Sequence, residues 1–287
     1  MEIQEHKFVE TNGIKLHVVQ QGPEDGQLVI LLHGFPEFWY GWSKQMTELA
    51  NKGFRVWAPD QRGYNLSDKP KKVSDYRIDH LAADVAGLIK ASGRGKVVLV
   101  GHDWGGIVAW RVARAYPELL HKLIVLNAPH ELAMSSQLLK HPLQILKSSY
   151  IAFFQLRGIP EKLFGMSNWK AVEKALVSTS RKGTFSEEDL RKYRTAWSQP
   201  GAMRSMINWY RALAMKPVNS VVPSSVLVPT FLMWGAKDPF LGHELANKSL
   251  EFCEKGQGVL LGEATHWVQH EEPERVNKLL FDFIDQE

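Results

Sequence analysis

The chain of 287 residues has a single cysteine, Cys253, so no intrachain disulfide can staple it, and a reducing compartment is the simplest expectation. No apolar run reaches the roughly 20 residues that a bilayer-spanning helix needs, because Lys, Gly, His or Asp interrupts each candidate. The amino terminus, Met1-Glu2-Ile3-Gln4-Glu5-His6-Lys7, lacks the basic-then-apolar order of a secretion signal. These absences lead us to expect a soluble, cytoplasmic protein. An excess of one charge sign is missing too: 35 basic against 31 acidic side chains leave +4, too little to require a nucleic-acid partner. The densest basic group, Lys69, Lys71 and Lys72, reads as a solvated loop. Neither Gly-x-Gly-x-x-Gly nor the P-loop pattern occurs, and Gly-x-Ser-x-Gly is absent as well. His266 and His270 lie four residues apart but have no third ligand spaced to join them, so neither a metal nor another cofactor is expected.

Aromatic residues are plentiful. The chain holds 10 Trp, 13 Phe and 7 Tyr within a composition that is 44% hydrophobic and 23% charged, the balance of a folded globular protein. Phe8 to Gln21 reads as a hairpin around Asn12-Gly13, residues that accept the positive φ of a tight turn. Buried-strand runs then alternate with helical patterns. Leu28–Leu32 precedes a helix from Trp42 to Asn51, and a strand at Phe54–Ala58 precedes the stripe Leu81, Val85, Leu88 and Ile89. Lys96–Val100, a helix from Gly105 to about Tyr116, and Leu123–Leu126 complete the rhythm of an α/β protein with a mostly parallel, doubly wound sheet.

From about Pro129 to Pro223 the strands stop. Helical patterns take over at Leu138–Phe154, Trp169–Val177, Ser186–Trp197 and Met203–Leu213, with Ser186 and Asp189 spaced to start one of them. Strand patterns return at Pro229–Trp234 and Val259–Leu261, followed by a helix opened by Pro273 with Val276, Leu279, Leu280 and Phe283 on one face. We therefore expect one core built from residues 1–129 and 224–287, with 130–223 inserted as an α-helical lid.

The most informative local feature is Gly101-His102-Asp103-Trp104-Gly105-Gly106, set between a buried strand and a helix. Such a sharp turn needs small residues on both sides of a strained central position, whose side chain then projects above the carboxyl end of the sheet. Ser is usual there; here the residue is Asp.

Together with His33-Gly34-Phe35-Pro36-Glu37, Asp60-Gln61-Arg62-Gly63-Tyr64 and the late His266-Trp267, this elbow resembles the epoxide hydrolases of the α/β-hydrolase fold. The resemblance runs over nearly the whole chain. Haloalkane dehalogenases share the Asp-Trp elbow and remain an alternative, although they often carry Asn where Phe35 stands. A fluoroacetate-type dehalogenase would want Arg in place of Trp104. A non-catalytic binding protein on the same fold is the remaining alternative.

A carboxylate nucleophile suits attack on a saturated carbon, because attack on an ordinary ester would give an anhydride. The product is an ester on Asp103, which a base must help water to hydrolyse, and His266 in the loop after the last strand is the candidate. Asp238, after the strand ending at Trp234, is the expected partner of His266, with Glu131 and Glu263 as competing acids. The resemblance implies an oxyanion hole from the main-chain N–H groups of Phe35 and Trp104, with His33 bracing the loop. It also implies two phenols, Tyr150 and Tyr210, donating to the epoxide oxygen. Tyr193, among Arg191, Lys192 and Arg194, reads as a surface residue. Phe38, Trp39, Phe153, Trp209 and Trp267, with Phe35, Trp104 and Phe154, are expected to contribute to an apolar pocket for lipophilic or aryl epoxides. The expected partners are thus a small-molecule epoxide and water.

Overall fold

The computed structural model describes residues 4–140, 150–166, 168–215 and 222–286. Strands β1 (Glu5–Thr11) and β2 (Ile14–Gln21) form the expected hairpin, with Asn12 at φ 45° and Gly13 at φ 72°. The other strands are β3 (Leu28–Leu32), β4 (Arg55–Pro59), β5 (Val97–His102), β6 (Leu120–Leu126), β7 (Thr230–Gly235) and β8 (Gly256–Leu261). They make one sheet in the order β1-β2-β4-β3-β5-β6-β7-β8. Only the β1–β2 and β2–β4 pairs are antiparallel.

Every residue of β3 and β5 is buried, as the unbroken apolar runs require of strands covered on both faces. Alternation divides their side chains between two cores. Leu28, Ile30 and Leu32 share one with Leu81, Val85 and Leu88 of α2 (Ile78–Ala91) and with Val108 and Val112 of α3 (Trp104–Ala115). Val29 and Leu31 face the other way, toward the buried side chains of α1 (Ser43–Asn51) and of the final helix, which Pro273 opens.

Between β6 and β7 the described residues form helices α4 (Glu131–Lys140), α5 (Tyr150–Gln155), α6 (Ile159–Met166), α7 (Lys170–Ser178), α8 (Glu187–Trp197) and α9 (Ala202–Ala212). The helix expected over 138–154 has its middle, 141–149, outside the described residues. Ser186 does start α8, with its hydroxyl accepting from the Asp189 N–H while the Asp189 carboxylate accepts from the Ser186 N–H. Tyr193 corrects an expectation: it is fully buried rather than at the surface. Helical periodicity explains why, since Leu190, Tyr193, Ala196 and Trp197 form the inward stripe of α8 while the neighbouring charges project elsewhere. The remaining α-helices among the described residues are α10 (Glu244–Leu250), a single turn α11 (Val268–Glu271), and α12 (Pro273–Ile284).

The seam between β3 and α3 permits almost no added volume. A Cβ on Gly105 would lie 2.1 Å from the Leu32 carbonyl oxygen, whereas one on Gly95 would meet nothing within 4 Å. Gly105→Ala should therefore cost at least about 1–3 kcal/mol, seen as a lower urea midpoint. Gly95→Ala should stay within about 0.5 kcal/mol of the parent.

Candidate functional site

Asp103 lies where β5 turns into α3, with φ 52° and ψ −122°, a backbone conformation that costs energy for any residue with a side chain. The first glycine loop presses directly against it: a Cβ on Gly34 would fall 2.4 Å from the Asp103 side chain. That closeness lets the Phe35 N–H donate to Asp103 Oδ1 at 2.8 Å. Trp104 begins α3, so its own N–H has no acceptor within the helix. His33 braces the same loop, with Nδ1 donating to the Gly34 carbonyl at 3.0 Å and Nε2 accepting from the Gln61 N–H at 3.1 Å. Burial lowers the pKa of His33 and so favours this neutral form.

His266 stands between two carboxylates. Its Nε2 is 3.4 Å from Asp103 Oδ2, and its Nδ1 is 2.7 Å from Asp238 Oδ2. Burial opposes a charge on the ring, but Asp238 and Asp103 outweigh it and push the pKa up to about 10. Asp238 is fixed in turn. Burial works against its ionisation, yet His266 and a ring of donors hold its pKa below the usual value. Those donors are Asn127 Nδ2 at 2.7 Å and the N–H groups of Phe240 and Leu241 at 2.7 and 3.0 Å. The competing acids are engaged elsewhere, Glu131 with Arg114 and the exposed Glu263 with Lys237.

Behind His266 lies a buried network that the sequence reading missed. His102 Nε2 donates to the His266 carbonyl at 2.8 Å, and its Nδ1 lies 3.2 Å from Glu37 Oε2. Gln269 Nε2 lies 3.2 Å from His102 Nδ1 and donates to Glu37 Oε2 at 3.1 Å. Glu37 Oε1 also accepts from Tyr193 at 2.7 Å and sits 2.6 Å from His270 Nε2. Burial disfavours the Glu37 charge, but His270 and His102 hold its pKa well below the carboxylate range. One carboxylate thus ties together the glycine loop, the elbow, the histidine loop and α8.

Asp103 and His266 open into a cavity of about 240 Å³ that Tyr150 and Tyr210 also line. The two phenol rings lie 5.8 Å apart at a steep angle, and Tyr210 packs edge-on to Trp104 and Phe35. Burial raises the pKa of each, with further increments from Asp103, so both are protonated at neutral pH.

Of the eight aromatic residues expected to contribute to the pocket wall, Phe35, Phe153, Phe154 and Trp267 line the cavity. Phe38, Trp39, Trp104 and Trp209 are not among the lining residues. Phe38 packs on Tyr193, Trp39 stacks edge-on to His6, and the Trp209 indole donates to the Arg62 carbonyl at 2.9 Å. Nearness along the chain does not decide which way a side chain points. Phe240, Val172, Leu176 and Thr179 were missed as lining residues. The last three recur at helical spacing, a signal that could have marked one face of α7 and the cap residue that follows it.

The α/β-hydrolase fold family matches residues 27–153. The AB hydrolase superfamily protein YfhM of Bacillus subtilis is 48% identical over 278 residues, an alignment covering 97% of each chain. Human Epoxide hydrolase 4 is 39% identical over 286 residues, spanning 97% of this chain and 78% of that protein. A mutant epoxide hydrolase from Bacillus megaterium, solved in complex with its naphthyloxy-propanediol product, superposes with a TM-score of 0.89 at 31% identity. That match covers 98% of this chain and 100% of the other.

The raised pKa of His266 links stability to pH. Because the folded state holds this proton up to about 10 against an ordinary value of 6.5, the contribution is complete below about 6.5 and is lost as pH rises through about 10. Denaturant unfolding across that window should show stability falling in the parent. His266→Gln should flatten this part of the profile.

Proposed function

Because the chain belongs to the epoxide hydrolases of the α/β-hydrolase fold, we propose that it converts epoxides to vicinal diols through an ester on Asp103. The observation that carries this reading is one cavity in which a carboxylate backed by a His–Asp pair faces two protonated phenols.

Oδ1 of Asp103 is held by the Phe35 N–H, which leaves Oδ2 to attack an epoxide carbon. The C–O bond of the ring breaks as the Asp103–carbon bond forms, and the ring oxygen takes a proton from Tyr150 or Tyr210. A buried phenol suits this task because it is protonated at neutral pH yet lies close enough to the nucleophile's cavity to meet the developing alkoxide.

Ester formation also changes His266. It removes the negative charge and the hydrogen bond of Asp103, two of the influences that raise the histidine's pKa, while burial continues to lower it. The proton that His266 held in the resting state passes to the phenolate left by ring opening, which restores the tyrosine and leaves His266 neutral as a base when a base is needed. The histidine takes a proton from water, hydroxide adds to Cγ of Asp103, and Oδ1 becomes the oxyanion held by the N–H groups of Phe35 and Trp104. Collapse expels the diol oxygen, which takes the proton from His266, and the proton of the Asp103 carboxylic acid then passes to His266, so that both groups return to their resting charge. Asp238 holds the ring in place and stabilises its charge.

The apolar wall favours lipophilic or aryl epoxides, with water as the second substrate. We assign residues 130–223 as the lid over a core of 1–129 and 224–287, since Tyr150, Tyr210 and most of the apolar wall come from that insertion.

With styrene oxide as substrate, Tyr210→Phe should slow ring opening by about 10²–10⁴-fold, measured as alkylation in stopped flow. His266→Gln should instead alkylate and stall, giving an adduct on Asp103 by mass spectrometry. Unchanged alkylation in the tyrosine variant, or no adduct in the histidine variant, contradicts the assigned roles.

A further inference from the structure

The helices that line the cavity from above carry an apolar face on their other side. Pro160 is buried and Phe164 lines the cavity from the inner side of α6, while Ile159, Leu163 and Met166 recur at spacings of four and three on the outer side. These three are 48%, 50% and 85% exposed, and Leu156, just before α6, is 47% exposed. Among the described residues this apolar stripe covers no part of the core and offers a surface to a partner.

The charges around it indicate which partner. From residue 150 to 178 the chain carries Arg157, Lys162, Lys170 and Lys174 against only Glu161 and Glu173. All four basic residues are exposed, and both acids are turned inward onto arginines of the neighbouring helices. Glu161 pairs with Arg211 at 2.6 Å and Glu173 with Arg194 at 2.6 Å. The outward face of α6 and α7 is therefore apolar with a basic border. Among the described residues no helix is long and apolar enough to cross a membrane. A partly buried apolar stripe flanked by lysines suits a helix lying in the plane of an anionic lipid surface.

We propose that the outer face of α6 and α7 docks on anionic bilayers, sinking Leu156, Ile159, Leu163 and Met166 into the headgroup boundary while Arg157, Lys162, Lys170 and Lys174 meet lipid phosphates. The same helices contribute Phe164, Val172 and Leu176 to the cavity wall. Docking thus brings the cavity to the phase in which a lipophilic epoxide accumulates, a consequence that rests on the activity proposed above.

Flotation with phosphatidylcholine vesicles, with and without phosphatidylglycerol, tests the docking without reference to turnover. The intact protein should float with the anionic vesicles only, and added salt should release it. Lys162→Gln with Lys170→Gln should lower the partition coefficient about 25-fold, at about fivefold per lysine. Leu163→Asp should abolish flotation, and both variants should hydrolyse a water-soluble epoxide at the parental rate. Absence of flotation, or equal flotation on neutral vesicles, overturns the proposal. A dimer in sedimentation that Leu163→Asp dissolves would assign the face to a second copy of the chain and overturn it as well. Failure of flotation with epoxide turnover intact leaves the catalytic reading standing.

Discussion

Asp103 reaches the cavity only because α3 begins hard against the end of β3. A side chain at position 105 would run into the Leu32 carbonyl, and one at 34 would run into Asp103 itself. Two glycines therefore set how closely the elbow and the first loop approach, and that approach brings the Phe35 N–H within 2.8 Å of Oδ1. Moving the elbow outward by an ångström would weaken that bond and shift the carboxylate relative to His266. The positive φ of Asp103 is maintained by the packed sheet on which the turn rests.

The electrostatics build outward from the same point. Asp103 and Asp238 flank His266, and the pair of negative charges more than compensates for the burial of one imidazolium. Asn127 links this cluster to the sheet: its side chain donates to Asp238 while accepting from the Gly235 N–H at 3.0 Å. Glu37 organises a second buried cluster one layer behind, reaching the His266 carbonyl through Gln269 and His102. The site is thus held by paired charges rather than by isolated ones, as burial demands. The phenols stand opposite, where apolar surroundings keep them protonated.

Much of this was legible in the order of residues because it depends on local rules. Continuous apolar runs marked β3 and β5, Asn12-Gly13 marked the hairpin, and the glycines around Asp103 marked the elbow. Asp238 and His266 were readable from their places after successive strands. What escaped depends on direction in three dimensions. Tyr193 sits among charges in the chain, yet α8 turns it inward to Glu37. Phe38, Trp39 and Trp209 are neighbours of site residues, but their rings pack away from the cavity. The role of Glu37 emerges only in three dimensions, where Tyr193, Gln269 and His270 converge on it from distant segments. Asn127 carried a weak local signal, since Asn at the end of a strand accepts the positive φ of 44° found there.

The central claim is that the reaction passes through a bond to Asp103, and the path of one oxygen atom tests it most directly. In a single turnover with enzyme in excess over styrene oxide in ¹⁸O-water, hydroxide attacks Cγ of the ester, so the solvent oxygen enters the Asp103 carboxylate. The diol leaves with one oxygen from the epoxide and one from the protein. Mass spectrometry should find the label on the peptide containing Asp103 and none in the first diol formed. Label in that first diol, with Asp103 unlabelled, would mean that water attacks the epoxide directly and would contradict the account.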